Sequence, residues 1–475
     1  MNSRREFLKG TAWMGAAAIA AGCTCDRFGF GAGGTMQGFA LKPMRRIRVG
    51  FVGIGMLDDG RGAMAIDRIS RLPGLEIAAI CDKNEERLRA MEKWLVDHKY
   101  PRPKTFGGEE GWKALCDLDD LDVVYNATPW HLHVPVGLRA LRNGKIALIE
   151  VPSALTVDDC WELVETSEKM RIPCMQLENC CYGEIEMLEF HLAKLGLLGE
   201  LVHGEGAYIH DLRDMTDARL PGEAEWRYAE NLPHKGNRYP THGLVPLCLA
   251  FDVNRGDRLD YLVSLESNQA NFAWYMRNRL PADAARLRDP KPEMGDMNTT
   301  LIKTALGRSL MIQHDVSSPR PYTRLNFISG TKGAIGDYPY RVVFEEKPGS
   351  GAHEWFDEKR AAEIREKYRH PMWRKVGELA QKVGGHGGMD FIMDLRWAYC
   401  LQNGLPLDMD VYDLATTCCL CELTEKSVRN RSRSYDIPDF TRGGWRTAKP
   451  MGILDVDLGR FGEVENRKGQ RQAGV

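Results

Sequence analysis

Arg48-Val49-Gly50-Phe51-Val52-Gly53-Ile54-Gly55 is an apolar, β-rich run that ends in spaced glycines. Such a run reads as a buried strand that delivers the chain into a tight turn. A helical stretch at 63–71 follows, and 75–81 is a second apolar strand that ends at Asp82. Strand, glycine turn and helix in that order leave the first amides of the helix free to face a pyrophosphate. Asp82, at the tip of the second strand, is placed to accept from an adenosine ribose and to repel a 2′-phosphate, which favours NAD over NADP. The competing reading makes Asp82 the N-cap of a helix beginning at 84. Gly50, Gly53 and Gly55 give G-x-x-G-x-G, but Met56-Leu57-Asp58-Asp59 delays the next glycines to Gly60 and Gly62, an insertion-like stretch.

Outward from this motif the chain alternates strand and helix, with further strands at 121–127 and 145–149 and a helix at 134–142. Alternation of this kind predicts an α/β fold, a doubly wound parallel Rossmann sheet over 46–175. Strand-like runs at 202–210, 259–265, 299–304, 309–314 and 324–329 then predict an α+β domain over 176–434 with a large, mostly antiparallel sheet. Helical periodicity returns at 357–368, 389–402 and 411–428, and 435–475 reads as a weakly patterned C-terminal tail. A length of 475 residues with 43% hydrophobic content suits two packed domains, and a net charge of −2 argues against a nucleic-acid partner.

The N-terminus reads as an export address. Ser3-Arg4-Arg5-Glu6-Phe7-Leu8-Lys9 and the apolar run 12–21 resemble a twin-arginine signal, so 1–22 is set apart from the fold and 23–45 becomes a linker. The expected partner is the twin-arginine export machinery and the expected location the periplasm. Ala20-Ala21-Gly22-Cys23 leaves two outcomes open, lipidation of Cys23 or simple cleavage nearby; only that lipid, or the signal itself, would touch a membrane. Export after folding also reconciles thirteen cysteines with an oxidising compartment. A nucleotide enzyme that leaves the cytoplasm loses its supply of free cofactor, so a bound nicotinamide regenerated in every cycle is expected, and chemistry with no net redox change.

Two segments at later strand ends, Thr128-Pro129-Trp130-His131-Leu132-His133 and Glu150-Val151-Pro152, resemble the Gfo/Idh/MocA oxidoreductases. Their usual lysine is Val151 here, and Arg238 stands where an aspartate normally precedes His242, so an ordinary sugar dehydrogenase is disfavoured. Leu177-Glu178-Asn179-Cys180-Cys181-Tyr182, Gly236-Asn237-Arg238-Tyr239-Pro240-Thr241-His242-Gly243-Leu244, Asn254-Arg255-Gly256-Asp257 and Gly384-Gly385-His386-Gly387-Gly388-Met389-Asp390 resemble a subgroup, glycoside hydrolase family 109. Val245 departs from the glycine expected there, at the pocket wall.

That resemblance implies an α-N-acetylgalactosaminidase, or an enzyme for a related glycoside, working by transient oxidation at C3 with bound NAD. Loss of the C2 proton, elimination, water addition and re-reduction then give net hydrolysis. It implies Tyr182 and His242 as proton-transfer groups, with Tyr239 beside them; Tyr182 at C2 and His242 at the C3 hydroxyl or the leaving oxygen is the preferred order, and the exchange of these two roles stays open. Cofactor contacts carry over to Gly53, Gly55, Met56, Arg61, Asp82, Trp130, His133, Glu150, Val151 and Asn179. Sugar contacts carry over to Tyr208, Arg227, Tyr239, Pro240, Thr241, His242 and Tyr322. Bland readings stand beside these: Tyr182 as core, His242 ending a turn, Arg227 as a surface ion-pair partner. No metal is expected, because His131-x-His133 lacks a third ligand, and Cys180-Cys181 with Cys418, Cys419 and Cys421 lack paired CxxC spacing. A periplasmic NAD(P)-bound sugar oxidoreductase and a non-catalytic sugar-binding lipoprotein are the alternatives, and a homo-oligomer is compatible with each.

Overall fold

The computed structural model describes residues 34–58, 60–213, 223–231, 233–279, 292–347, 349–460, 464–465 and 471–472. The signal at 1–22, Cys23 and the linker as far as 33 lie outside the described residues. Among the described residues no helix is long and apolar enough to cross a membrane.

Strands β1 (Ile47–Val52), β2 (Leu75–Asp82), β3 (Lys104–Gly107), β4 (Val123–Asn126), β5 (Ile146–Ile149) and β6 (Cys174–Gln176) form a parallel sheet in the order β3-β2-β1-β4-β5-β6. β4 and β5 are buried along their whole length, because helices cover both faces of the sheet. Val52 pairs with Cys81 on one side and Asn126 on the other, so the strands end together at one edge, where the order reverses between β1 and β4. Crevices at such a reversal hold nucleotides. The short edge strand β3, after Pro101 and Pro103, has too little apolar pattern to be read from sequence.

The delayed glycines are explained here. A Cβ on Gly62 would lie 2.0 Å from the carbonyl oxygen of Gly53, so the helix Arg61–Ser70 can seat on the turn after β1 only without a side chain there. Gly53 itself has φ +83°. Met56 and Leu57 bulge outward, exposed, and Gly62 rather than an earlier residue makes the close helix–strand contact.

The second sheet contains β7 (Leu201–Ile209), β8 (Leu259–Glu266), β9 (Asn298–Thr304), β10 (Ser309–Asp315), β11 (Phe327–Gly330), β12 (Gly333–Gly336), β13 (Arg341–Phe344) and β14 (Tyr435–Asp436). Their order is β13-β12-β11-β7-β10-β9-β8-β14, antiparallel except for the parallel pair β7–β10. The helix Thr241–Ala250 lies backbone to backbone on β7. A Cβ on Gly206 would meet the Gly243 carbonyl oxygen at 2.1 Å, and one on Gly243 would meet the Ala207 nitrogen at 2.3 Å.

Several expectations need correction. The strand predicted from 324 begins at Phe327, since Leu325 (φ +59°) and Asn326 (φ +37°) are left-handed and cannot continue a ladder. The helix predicted over 411–428 is two, Val411–Cys418 and Leu420–Arg429. Residues 34–44 are no free linker: Met36 is buried and its amide donates to the Tyr412 hydroxyl at 3.0 Å. Residues 435–456 are packed rather than a tail, for Tyr435–Asp436 closes the sheet beside β8, and Phe440 and Val456 are buried.

Candidate active site

A cavity of about 790 Å³ opens at the carboxyl edge of the parallel sheet and runs to the inner face of β7. Nine of the ten residues expected to contact the cofactor line it: Gly53, Gly55, Arg61, Asp82, Trp130, His133, Glu150, Val151 and Asn179. Met56 does not, being turned out to solvent, half exposed.

Asp82 has work inside the protein. Its Oδ2 accepts from the amides of Ile54 (2.9 Å) and Gly55 (3.1 Å), and its Oδ1 from Asn84 (2.9 Å). It thereby fixes the glycine turn. A carboxylate oxygen has lone pairs for more than one donor, so a ribose hydroxyl can still be accepted. The N-cap of the helix Glu85–Asp97 is Asn84, not Asp82. His133 is buried, with Nδ1 2.7 Å from the Pro152 carbonyl and Nε2 2.8 Å from that of Thr128. It ties the loops after β4 and β5 together, while the exposed His131 faces Glu230 at 3.4 Å, so the His-x-His spacing builds no ligand pair.

Beneath the middle of the cavity lies a buried charge cluster. Arg61 donates to Glu150 (2.6 Å) and to Asp390 (2.7 Å), Asn179 donates to Asp390 (2.5 Å), and His386 pairs with the same aspartate (2.9 Å). Burial opposes the charge on Asp390, but Arg61, Arg68 and His386 together hold its carboxyl well below the usual range. Burial likewise opposes the charge on Arg61, and Asp390 with Glu150 hold that guanidinium well above its ordinary value. His386, inside the run of left-handed backbone from Gly384 to Gly388, thus reaches the cavity wall.

At the far end Tyr208, Arg227, Tyr239 and His242 come together. Glycine-mediated seating of the helix Thr241–Ala250 on β7 puts the His242 ring 5.3 Å from Tyr208 and 4.8 Å from Tyr239, edge to face. Tyr239 stacks on Trp130 at 5.7 Å, and Trp226 meets Trp130 in a T at 5.3 Å. The Arg227 guanidinium lies over Trp226, with Nε buried and unpartnered. It is not a surface ion-pair residue. Burial raises the phenols of Tyr208 and, more strongly, Tyr239, so both stay protonated donors. Pro240 and Thr241 are buried at the start of the helix and do not line the cavity; nor does Tyr322, which packs edge-on behind Tyr208 at 6.2 Å and accepts from Arg324. Val245 is a core residue, not a pocket wall.

Tyr182 is the chief correction. It is 1% exposed, and its hydroxyl donates to Asp408 at 3.0 Å, where Arg396 also binds. It belongs to the core beneath the site, not to the cavity. The carboxylate that sequence reasoning passed over is Glu178, fully buried, with Oε1 2.7 Å from His242 Nδ1. Trp226 and Glu230, on the same helix as Arg227, and Asp390, at the end of the glycine-rich segment 384–390, were also given no role, because their partners Trp130, His131 and Arg61 lie far away in the chain. Glu178, Cys180 and His242 offer ligand atoms within 4.8 Å of one another. Burial pushes the Cys180 thiol far up, which keeps it protonated and a poor metal donor.

Comparison with known proteins agrees with this architecture. The family model for an NAD-binding Rossmann fold of the oxidoreductase family matches residues 47–176, and that of the glycosyl hydrolase 109 C-terminal domain matches 182–447. A glycosyl hydrolase family 109 protein 2 from Shewanella sp. (strain MR-4) is 43% identical over 457 residues, covering 95% of this chain and 99% of its own. An alpha-N-acetylgalactosaminidase from Bacteroides fragilis is 44% identical over 412 residues, covering 86% and 95%. Among solved structures, a levoglucosan dehydrogenase in complex with NADH and L-sorbose superposes with TM-score 0.62 at 17% identity, over 83% of this chain and all of that one, a likeness of fold. The glycine turn, the strand-edge cavity and the sequence matches over both halves lead to one conclusion: this chain belongs to glycosyl hydrolase family 109, with an NAD-binding Rossmann domain at its N-terminal end.

Proposed function

We propose that the protein hydrolyses a terminal α-N-acetylgalactosaminide, or a closely related glycoside, with NAD that stays bound throughout. The observation that carries this reading is the continuous cavity joining the dinucleotide turn to the aromatic pocket around His242. The carboxylates on its wall support it further. Asp82 is engaged by backbone amides, Glu109 by Lys83, Glu150 by Arg61 and Glu230 by His131. A direct glycosidase needs two carboxyl groups flanking the bond, one of them free to protonate the leaving oxygen, whereas Glu150 and Glu230, the two nearest the aromatic pocket, are held by Arg61 and His131.

Bound NAD supplies a reversible hydride acceptor for a sugar carbon, which makes the neighbouring C–H acidic. The turn at Gly53 and Gly55, Asp82, Arg61, His133 and Asn179 would hold it, and the glycine backbone leaves the close approach it needs. His242 takes the proton from the sugar. Tyr208 and Tyr239, held protonated, donate to sugar oxygens, while the unpartnered Nε of Arg227 is a further donor for a hydroxyl or an acetamido oxygen. Trp130 and Trp226 give the apolar face of the sugar a surface to lie on.

We further propose export by the twin-arginine route to the periplasm. The eleven cysteines among the described residues are all buried and unpaired, as in a protein folded under reducing conditions before transport. The test uses protein as purified, without added cofactor. Release of a chromogenic aglycone from its α-N-acetylgalactosaminide, with deuterium entering C2 of the product in heavy water, is the expected result. Hydride exchange between sugars without bond cleavage would make it an oxidoreductase instead.

A further inference from the structure

A histidine that takes a proton from the sugar needs a fixed ring and a known tautomer. The sequence offers His242 no acid one turn earlier, for Arg238 is there. Tertiary structure supplies one from the segment after β6. Glu178 is fully buried, its Oε1 lies 2.7 Å from His242 Nδ1, and the same oxygen accepts the Cys180 amide at 3.0 Å, which anchors it. The ring contact is a close ion-pair approach rather than an aligned hydrogen bond, and Oε2 has no partner. A turn of the imidazole is what would align Nδ1–H on the carboxylate. Tyr208 and Tyr239 stand edge to face with the ring and limit that turn.

Resting on the function proposed above, we infer that Glu178 is a positioning residue. It holds the Nδ1 proton of His242, leaves the Nε2 lone pair for the sugar, and steadies the charge that the ring gains during turnover. Two further facts support this. A buried carboxylate without such a partner is costly. Burial works against the charge on Glu178, yet His242 and the Cys180 amide outweigh it and hold the carboxyl below the ordinary glutamate range. The groups around the ring are then Glu178, Cys180, Tyr208 and Tyr239, and Glu178 is the one anion among them.

The experiment is Glu178→Gln, which keeps shape and removes charge, in protein carrying its NAD. A fall in kcat of about 100-fold or more is expected, with KM changed less than about threefold, since a misoriented base impairs turnover and not sugar binding. In a His242→Ala background the same substitution should change residual turnover by less than about twofold, since it acts only through the ring. Glu178→Asp, which keeps the charge, should recover at least about tenfold over Glu178→Gln. Unaltered kcat in Glu178→Gln would overturn the inference. So would a loss that persists in full without His242. If the glutamine variant does not fold, Glu178→Ser takes its place: the same fall in kcat with NAD retained, absent in the His242→Ala background, supports the role, and a wild-type kcat refutes it. Wild-type protein with no glycosidase activity would instead defeat the underlying functional reading, a distinguishable outcome.

Discussion

At the residue scale, a side chain's chemistry depends on what it faces. Tyr182 lies in a segment resembling that of a glycosidase family and carries a hydroxyl suited to proton transfer, yet its partner is Asp408 in the core. Burial beside that carboxylate raises its phenol well above the ordinary range, so it does not ionise near neutrality. Tyr182→Phe should therefore leave kcat within about fivefold of wild type and lower stability by roughly 1–2 kcal/mol, the value of one buried hydrogen bond to a charged group. Parallel kinetics and urea unfolding would check both numbers, and a loss of several orders in kcat would restore Tyr182 to the reaction. His242 shows the reverse case. It could have ended a turn, but the helix Thr241–Ala250 presents it to the cavity with Glu178 behind it.

At the scale of elements, the close contacts are made by glycines. The helix Arg61–Ser70 sits so near the turn after β1 that Gly62→Ala would place a methyl carbon 2.0 Å from a carbonyl oxygen. The helix must then shift, at a cost of roughly 1–3 kcal/mol or more. Because the same helix carries Arg61, NAD content of the purified variant should fall along with its urea midpoint. Normal stability with full cofactor would show that the helix moves freely. The glycine spacing was readable in sequence, but which glycine makes the contact was not. That depends on where Met56 and Leu57 bulge, a matter of loop geometry rather than of pattern. Similarly, 324–329 has strand composition throughout, and only the left-handed Leu325 and Asn326 delay the strand to Phe327.

At the scale of the whole molecule, the two halves share a core. Val245 and Leu249 from the second half pack in one cluster with Ile47, Phe51 and Tyr125 of the Rossmann half, and the buried helix Met389–Asn403 brings Asp390 and Asp394 against Arg61 and Arg68. Burial also keeps two imidazoles neutral. Desolvation lowers both His314, facing Arg238, and His370, beside His191, to about 3. Unfolded, each binds a proton near pH 6.5, so the stability that neutrality supplies is complete above that value and is lost as pH falls from about 6.5 toward 3. The urea midpoint should decline through this window. A double variant, His314→Asn with His370→Asn, the latter able to keep the cap on the Met372 amide, should show a flatter decline whatever its stability at pH 7. An equal slope in both proteins would rule out these residues as its source. The parallel sheet, the dinucleotide turn and the second sheet were legible in the amino-acid order, because strand alternation and glycine spacing are local and repeat along the chain, whereas most of the cofactor wall came from the family resemblance and not from pattern. Which hydroxyls line the cavity, and which carboxylate stands against His242, was settled by packing between distant segments. Tyr182 and Glu178 are near neighbours in one segment, and only packing against Asp408 on one side and His242 on the other sends the first into the core and the second behind the His242 ring.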